Sequence, residues 1–170
     1  MRRSFIALAL CFIASTALAS EEGLRFEVVV PASLDDVWNA WTTVDGVKSF
    51  FAGGANIDLR PDGAYEIYFD PSAEAGHRGA DDMRVLLVQP KSALAFTWNA
   101  PGKFPEARKQ RTHVMVRFHA LSAKETKIVL THDGFGEGAD WDAVRAYFAK
   151  AWGEVVLPRL VARFQTAAAP

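Results

Sequence analysis

The stretch ADWDAVRAYFAKAWGEVVLPRLVARF, residues 139–164, decides the fold of this chain. Its apolar residues recur every three or four positions, which is typical of one face of an α-helix. They are Trp141, Val144, Phe148, Ala151, Trp152, Val155, Val156, Leu160 and Phe164. The pattern predicts one long amphipathic C-terminal helix. We expect a kink at Pro158, because proline removes a backbone hydrogen bond and clashes with the preceding turn.

The N-terminal part of the domain predicts a strand followed by two short helices. Residues 24–30 are rich in β-branched side chains and indicate a strand, which a proline ends. Ser33 is placed to cap the first helix, and acidic residues occupy its first turn. The dipeptide Asp45-Gly46 is expected to break that helix, and residues 47–51 are expected to form the second.

The middle of the chain predicts a series of strands. Residues 56–132 alternate apolar and polar side chains over short segments, and residues 61–63 give the strongest hairpin signal. Polar loops at 71–81 and 99–111 interrupt the series. The order of elements predicts an α+β fold, in which a curved antiparallel sheet of six to seven strands wraps the C-terminal helix. The space between helix and sheet is either filled by side chains or left as a cavity.

The composition indicates a domain of ordinary size with little net charge. The chain has 170 residues, half of them apolar, with 19 basic against 20 acidic residues. This length suits one domain, which we place at residues 20–165, with a flexible tail at 166–170. The balanced charge gives no reason to expect nucleic acid as a partner. The four histidines lack paired ligand spacing and no nucleotide-binding motif occurs, so neither a metal nor a cofactor is expected.

Residues 1–19 have the pattern of a secretory signal peptide. Arg2 and Arg3 precede an apolar run, and small residues lead up to Ala19, where cleavage is expected. The run is shorter than the roughly 20 apolar residues of a spanning helix, so no membrane span is expected in the mature chain. The mature protein is predicted to be periplasmic or secreted, by the general secretory route or, given the paired arginines, by the twin-arginine route. The only cysteine, Cys11, would be removed with this segment.

Several short motifs occur in a fixed order over residues 24–165. They are Pro31-Ala32 with Asp36-Val37-Trp38-Asn39-Ala40-Trp41, Arg60-Pro61-Asp62-Gly63-Ala64-Tyr65, Gln89-Pro90 with Leu94-Ala95-Phe96-Thr97-Trp98, Thr126-Lys127-Ile128-Val129-Leu130-Thr131-His132-Asp133-Gly134-Phe135, and Ala151-Trp152 with Leu157 and Leu160. In this order they resemble the activator of Hsp90 ATPase homologue 1-like family of the START-like superfamily, also called SRPBCC or Bet v 1-like. The resemblance implies a helix-grip (START-like) fold with an internal apolar cavity.

The resemblance leaves three functional hypotheses open. Members of the superfamily bind lipids, sterols, polyketides or other small hydrophobic molecules, so the leading hypothesis is an exported domain that binds a small hydrophobic or amphipathic molecule. Some members are cyclases or related enzymes, which makes a polyketide cyclase or dehydratase type of enzyme the second hypothesis. The third is an envelope protein-interaction module without a ligand. Hsp90 is not expected as a partner, because export would separate this chain from a cytoplasmic ATP-driven protein.

Ten side chains are candidates for the wall of the expected cavity: Phe50, Phe51, Tyr65, Phe69, Phe96, Trp98, Phe118, His132, Phe148 and Trp152. Each aromatic residue can equally be an ordinary core residue. His132 shares its parity with apolar residues of its strand, so its imidazole is expected to point inward. There it could hydrogen-bond a ligand or, with Tyr65, transfer a proton, unless backbone or solvent satisfies it. His113 and His119 have the opposite parity and are predicted to lie on the surface.

Two segments depart from the family pattern and are expected to shape the mouth of the cavity. One is Gly79-Ala80-Asp81-Asp82, which is longer and more acidic than the usual glycine-led entry to a strand. In the loop before it, His77 and Arg78 lie between glycines, where they could grip an anionic group such as a carboxylate or simply be solvated. Asp81 and Asp82 follow and are most simply interpreted as solvated. The other loop, at 99–111, is long, polar and basic.

Overall fold

The structure is a computed structural model, and it describes residues 23–166. In chain order the elements are β1 (Leu24–Val30), α1 (Leu34–Thr42), α2 (Val44–Lys48), β2 (Gly54–Ile57), β3 (Tyr65–Tyr68), β4 (Gly79–Ala80), β5 (Val85–Gln89), β6 (Ala93–Asn99), α3 (Pro105–Arg108), β7 (Arg111–Ser122), β8 (Glu125–Asp133), α4 (Ala139–Lys150), a π-helical segment (Ala151–Val156) and α5 (Leu157–Thr166). The predicted signal peptide and residues 167–170 of the predicted tail lie outside the described residues.

The strands form two antiparallel sheets. Five lie in the order β1-β8-β7-β6-β5 and three in the order β2-β3-β4. A backbone hydrogen bond from Tyr65 N to Met83 O (2.8 Å) and a bridge between Ala64 and Arg84 connect the small sheet to the start of β5. The predicted α+β helix-grip fold is confirmed. The eight described strands exceed the predicted six to seven, partly because the loop at 71–81 contributes the two-residue strand β4.

The start of the domain follows the prediction closely. Strand β1 spans the predicted residues 24–30. The side chain of Ser33 caps α1, since its Oγ accepts a hydrogen bond from the backbone N–H of Asp36 at 3.2 Å. Asp35 and Asp36 occupy the first turn, where the helix dipole favours negative charge.

The boundary between α1 and α2 lies at Thr43, so the predicted break at Asp45-Gly46 is wrong. Thr43 Oγ1 accepts the backbone N–H of Gly46 at 3.0 Å and caps α2, which therefore begins earlier than the predicted residues 47–51. Gly46 lies against α1 so closely that an added Cβ would be 2.2 Å from a backbone carbonyl oxygen of that helix. The glycine is needed for the close packing of the two helices.

The C-terminal helix is continuous from α4 to α5, as predicted, but a π-helical segment lies in its middle. In a π-helix each N–H bonds to the carbonyl five residues earlier, which widens the turn. The N–H of Leu157 bonds back to Trp152 O in this way. Pro158, which has no N–H to donate, follows directly in α5. The irregularity expected at the proline is therefore a wide turn in the six residues Ala151–Val156.

This helix packs its apolar face against the five-stranded sheet and forms part of one core cluster. Its buried side chains are Val144, Phe148, Trp152, Val156, Leu157 and Leu160. Gly153 faces β1, where an added Cβ would be 3.1 Å from the ring of Phe26. Of the helices in residues 23–166, none has the length and apolar character required to cross a membrane.

We predict that Gly46→Ala destabilises the domain by about 2 kcal/mol, because the new Cβ must displace backbone of α1. Chemical denaturation of the purified protein would measure the free energy of unfolding. Gly102→Ala is the matched control, since a Cβ there meets no heavy atom within 4 Å. Equal stability of the two variants would contradict the packing of α2 on α1.

Candidate ligand-binding site

A pocket of about 620 Å³ opens beside the C-terminal helix, a volume that falls in the range of small-molecule sites. Its apolar lining includes Phe51, Trp98, Phe148, Trp152 and Val156. Three of these rings contact one another, with centroid distances of 5.8 Å for Phe51–Trp98, 6.0 Å for Trp98–Trp152 and 5.6 Å for Phe51–Trp152. Side chains of a helix, a strand and the segment after α2 thus form one aromatic wall.

Half of the ten predicted site residues lie on the wall of this pocket. They are Phe51, Phe69, Trp98, Phe148 and Trp152. Four of them are buried, whereas Phe69 is 55% exposed and lies at the mouth. Phe69 is held from one side by Phe51, with ring centroids 6.0 Å apart. The structure therefore brings these five residues together from four separate parts of the chain.

The other five predicted residues do not line this pocket, and all five are buried. Tyr65 stacks on Phe96 at a centroid distance of 4.2 Å, and its hydroxyl donates a hydrogen bond to the carbonyl oxygen of Trp41 at 2.8 Å. Phe118 packs edge-on against Trp38 at 5.2 Å. Phe50 is buried and lines a neighbouring pocket instead, and His132 lies behind the aromatic wall.

His132 has no exposed surface and holds two partners in place. The indole Nε1–H of Trp152 donates to His132 Nδ1 at 3.0 Å, so the proton of the neutral imidazole must lie on Nε2. Nε2–H then donates to Thr112 Oγ1 at 2.8 Å, and the Thr112 hydroxyl donates to Trp98 O at 3.3 Å. This series of hydrogen bonds connects the side chain of Trp152 to the backbone of Trp98, the two tryptophans of the pocket wall.

Burial lowers the pKa of His132 to about 3, with a smaller contribution from the nearby His113. The imidazole therefore stays neutral at ordinary pH and keeps the tautomer that accepts from Trp152. The rings next to the imidazole are apolar: the ring centroids of Phe135 and Phe148 each lie 4.6 Å from that of His132. His132 is a positioning residue for the wall. The predicted surface location of His113 and His119 is confirmed.

Of the two loop residues expected to grip an anion, only His77 reaches the pocket. Arg78 Nε donates to Asp81 Oδ1 at 2.7 Å, and its guanidinium stacks on the ring of Tyr68 at 4.0 Å. Asp81 is only 4% exposed, so the interpretation of a solvated Asp81 is wrong. Burial would raise the pKa of its carboxyl, but hydrogen bonds from Arg78 and from two backbone N–H groups hold that pKa below its usual value.

Arg108 joins the two loops at the mouth. Its Nη1 donates to Ala100 O at 2.6 Å and its Nη2 to Gly79 O at 2.7 Å. Burial lowers the pKa of this guanidinium, which still remains charged at any ordinary pH. The basic loop at 99–111 is thereby fastened to the loop before β4, and it contributes Pro101 and Gly102 to the lining.

The helix supplies lining residues that sequence reasoning did not single out. Tyr147, Lys150 and Arg159 flank the apolar stripe on α4 and α5 and complete the pocket. The helical spacing would place them at an edge of the stripe, but only the tertiary contacts show which edge borders a pocket. Among residues 23–166, no group of three or more His, Cys, Asp or Glu side chains is arranged to hold a metal ion.

Comparisons with known proteins identify the fold and the family. A family model described as "Activator of Hsp90 ATPase homolog 1-like protein" matches residues 31–165. No curated protein is similar enough in sequence to count as a match.

Solved structures show the same fold at low sequence identity. A protein from Mesorhizobium loti is 16% identical, with a TM-score of 0.67 over 86% of this chain and 99% of that one. The Aha1 dimer from Colwellia psychrerythraea is 18% identical, with a TM-score of 0.64 over 86% and 98%. An HSP90 activator from Plasmodium falciparum is 17% identical, with a TM-score of 0.59 over 81% and 94%. At these identities the likeness shows the fold alone.

We predict that acid destabilises the protein through His132. The unfolded chain has an ordinary histidine pKa near 6.5, whereas the folded pKa is about 3, so between these values only the unfolded state binds the proton. The contribution is fully present above about pH 6.5 and is lost as the pH falls towards 3. Between about pH 7 and about pH 4.5, it should lower the free energy of unfolding by about 2 to 3 kcal/mol.

Denaturation of the wild type, His132→Gln and His119→Gln at both pH values would measure this. His132→Gln should be less stable at neutral pH, because it breaks the chain to Trp152 and Thr112, yet it should lose less stability on acidification. His119 is exposed, so His119→Gln should behave as the wild type. An unchanged pH dependence in His132→Gln would refute the neutral buried imidazole.

Proposed function

We propose that this chain, which belongs to the Activator of Hsp90 ATPase homolog 1-like family, binds a small hydrophobic or amphipathic molecule in the pocket beside its C-terminal helix. The ligand would lie on the aromatic wall formed by Phe51, Trp98 and Trp152. The loops joined by Arg108 would border the mouth.

The observation that carries this proposal is a concentration of exposed apolar side chains in one concave place. The described residues contain seven large apolar residues with exposed side chains, and three of them, Phe69, Tyr147 and Val155, line this pocket. Exposed apolar residues scattered singly need no explanation, but a group around a pocket marks a binding site. A ligand would cover these three side chains.

The wall behind them is fixed before any ligand arrives. Trp152 is held by its hydrogen bond to His132, and Trp98 packs between Phe51 and Phe96 with centroid distances of 5.8 and 5.7 Å. A preorganised wall loses little side-chain entropy on binding. Covering about 200 Å² of apolar surface would contribute roughly 5 kcal/mol before the cost of association, which suits a ligand of modest affinity.

The enzyme hypothesis loses its two leading residues. His132 and Tyr65 are both fully buried, and neither lines the pocket. Burial raises the pKa of the Tyr65 hydroxyl, which stays protonated and bonded to the Trp41 carbonyl, and burial keeps His132 neutral. Neither group is positioned to exchange a proton with a bound molecule.

Export remains part of the proposal, and it is supported by the pattern of residues 1–19 alone. If the segment acts as a signal peptide, the mature protein meets its ligand in the periplasm or outside the cell, away from cytoplasmic Hsp90. N-terminal sequencing of protein from fractionated cells would test this, with a first residue near Ser20 as the expected result. A cytoplasmic protein that retains Arg2 and Arg3 would refute it.

The binding proposal predicts that the neutral fluorescent probe N-phenyl-1-naphthylamine binds to the purified protein. Val155→Trp should weaken this binding at least about tenfold, because the larger ring would fill the pocket from an exposed position on the helix. Its stability should stay within about 0.5 kcal/mol of the wild type. Fluorescence titration and denaturation would measure the two quantities.

Leu121→Trp is the matched control, since Leu121 is 54% exposed and lies outside the pocket. It should bind the probe as the wild type does. If the wild type does not bind the probe, or if both variants bind it equally, the pocket is not a binding site. The interaction-module hypothesis would then be the better account of the exposed apolar side chains.

A further inference from the structure

The charged side chains that line the pocket are all basic. The lining includes the basic residues Arg108, Lys150 and Arg159 and contains no Asp or Glu among the described residues. A fourth cation lies close by, because Lys103 Nζ is 5.2 Å from the ring centroid of Tyr147. The charged side chains that line the apolar pocket are therefore basic, whereas Asp81 and Asp82 lie in an adjoining pocket that shares His77 and Arg108 with it.

The same sign continues into the neighbouring pocket. That pocket shares Phe51, Phe69 and Arg159 with the first, and it adds Lys48 and Arg163 but no acidic side chain. This is not a property of the whole chain, which has 19 basic against 20 acidic residues. The absence of acidic side chains is thus a local property of the lining of these two pockets.

No carboxylate of the described residues forms an ion pair with a cation that lines this pocket. Within residues 23–166, neither Lys150 nor Arg159 takes part in an ion pair. Arg108 is half-buried, and its guanidinium donates to backbone carbonyl oxygens, while the Asp81 carboxylate acts on it without forming an ion pair. A half-buried cation attracts an anion more strongly than a fully solvated one, since less water screens it.

We infer that the ligand is a single-chain amphipathic anion, with an alkyl or similar apolar tail on the aromatic wall and an acidic head group among the mouth cations. This inference rests on the proposed function and narrows its ligand class. Arg108, Lys150 and Arg159 line the same pocket as the aromatic wall, and Arg159 also lines the second pocket. The apolar wall takes the tail.

A monomeric amphiphile fits this site better than a membrane surface. The aromatic wall is recessed, with Phe51, Trp98 and Trp152 each less than about a twentieth exposed, so a planar bilayer would not reach it. A single chain released from a membrane or from solution can enter a pocket of about 620 Å³.

The test compares three head groups on one tail. Isothermal titration of the purified protein with dodecanoate, dodecanol and dodecylamine separates the contribution of charge from that of the alkyl chain. We expect dodecanoate to bind at least about tenfold tighter than dodecanol, and dodecylamine to bind weakest. Raising the salt concentration from about 0.02 to about 0.5 M should reduce the preference for dodecanoate, because salt screens the cations at the mouth.

Charge-neutralising variants locate the effect. Lys150→Gln combined with Arg159→Gln should weaken dodecanoate binding about tenfold and change dodecanol binding less than about twofold. Lys124→Gln combined with Arg117→Gln removes the same charge from exposed positions outside the pocket and should leave dodecanoate binding unchanged. Circular dichroism would show that each variant is folded, and the salt series on the unmodified protein tests the inference without any variant.

The outcomes separate this inference from the proposed function. Equal affinities for dodecanoate and dodecanol, insensitive to salt, would overturn the anionic ligand and leave the binding function in place. Failure of all three compounds and of N-phenyl-1-naphthylamine would overturn both. Co-sedimentation with phosphatidylglycerol vesicles, without binding of monomeric dodecanoate, would overturn the inference in favour of a membrane surface.

Discussion

The hydrogen bond between the Trp152 indole and the His132 imidazole joins the C-terminal helix to the end of β8. Because His132 is completely buried, its two ring nitrogens must both find partners inside the protein, and they do so in Trp152 and Thr112. These hydrogen bonds connect the helix to β8 through His132 and to β7 through Thr112. Phe148 of the same helix also packs against the imidazole.

The π-helical segment contains the helix side of this attachment, since Trp152 is one of its six residues. Trp152 and Val156 lie within the wide turn and are buried, as are Leu157 and Leu160 beyond it and Val144 and Phe148 before it. A π-helical turn shifts the register of all residues that follow, so both halves of the helix can bury apolar side chains against one sheet. The same segment exposes Val155 towards the pocket, which couples the packing of the core to the lining of the site.

The aromatic residues of the core fall into two groups by position. Tyr65, Phe96 and Phe118 fill the interior, while Phe51, Trp98 and Trp152 have one side in the core and the other on the pocket wall. The family model and the solved structures identify the fold, and a fold by itself does not settle function. The basic lining of the apolar groove is the feature that directs the proposals about its ligand.

The sequence alone determined the elements whose signals are local. The periodicity of residues 139–164, the alternation that turns His132 inward and the cap at Ser33 each depend on neighbours a few positions away, and each was predicted from them. The sequence did not reveal that the Tyr65 hydroxyl would bond to the Trp41 carbonyl inside the core, because that contact joins distant segments. Nor did it reveal that Asp81 would be buried and paired with Arg78, because burial depends on the packing around the loop. Only the tertiary structure brought Arg108, Lys150 and Arg159 to one mouth, since a charge pattern along a chain does not say which charges will share a pocket.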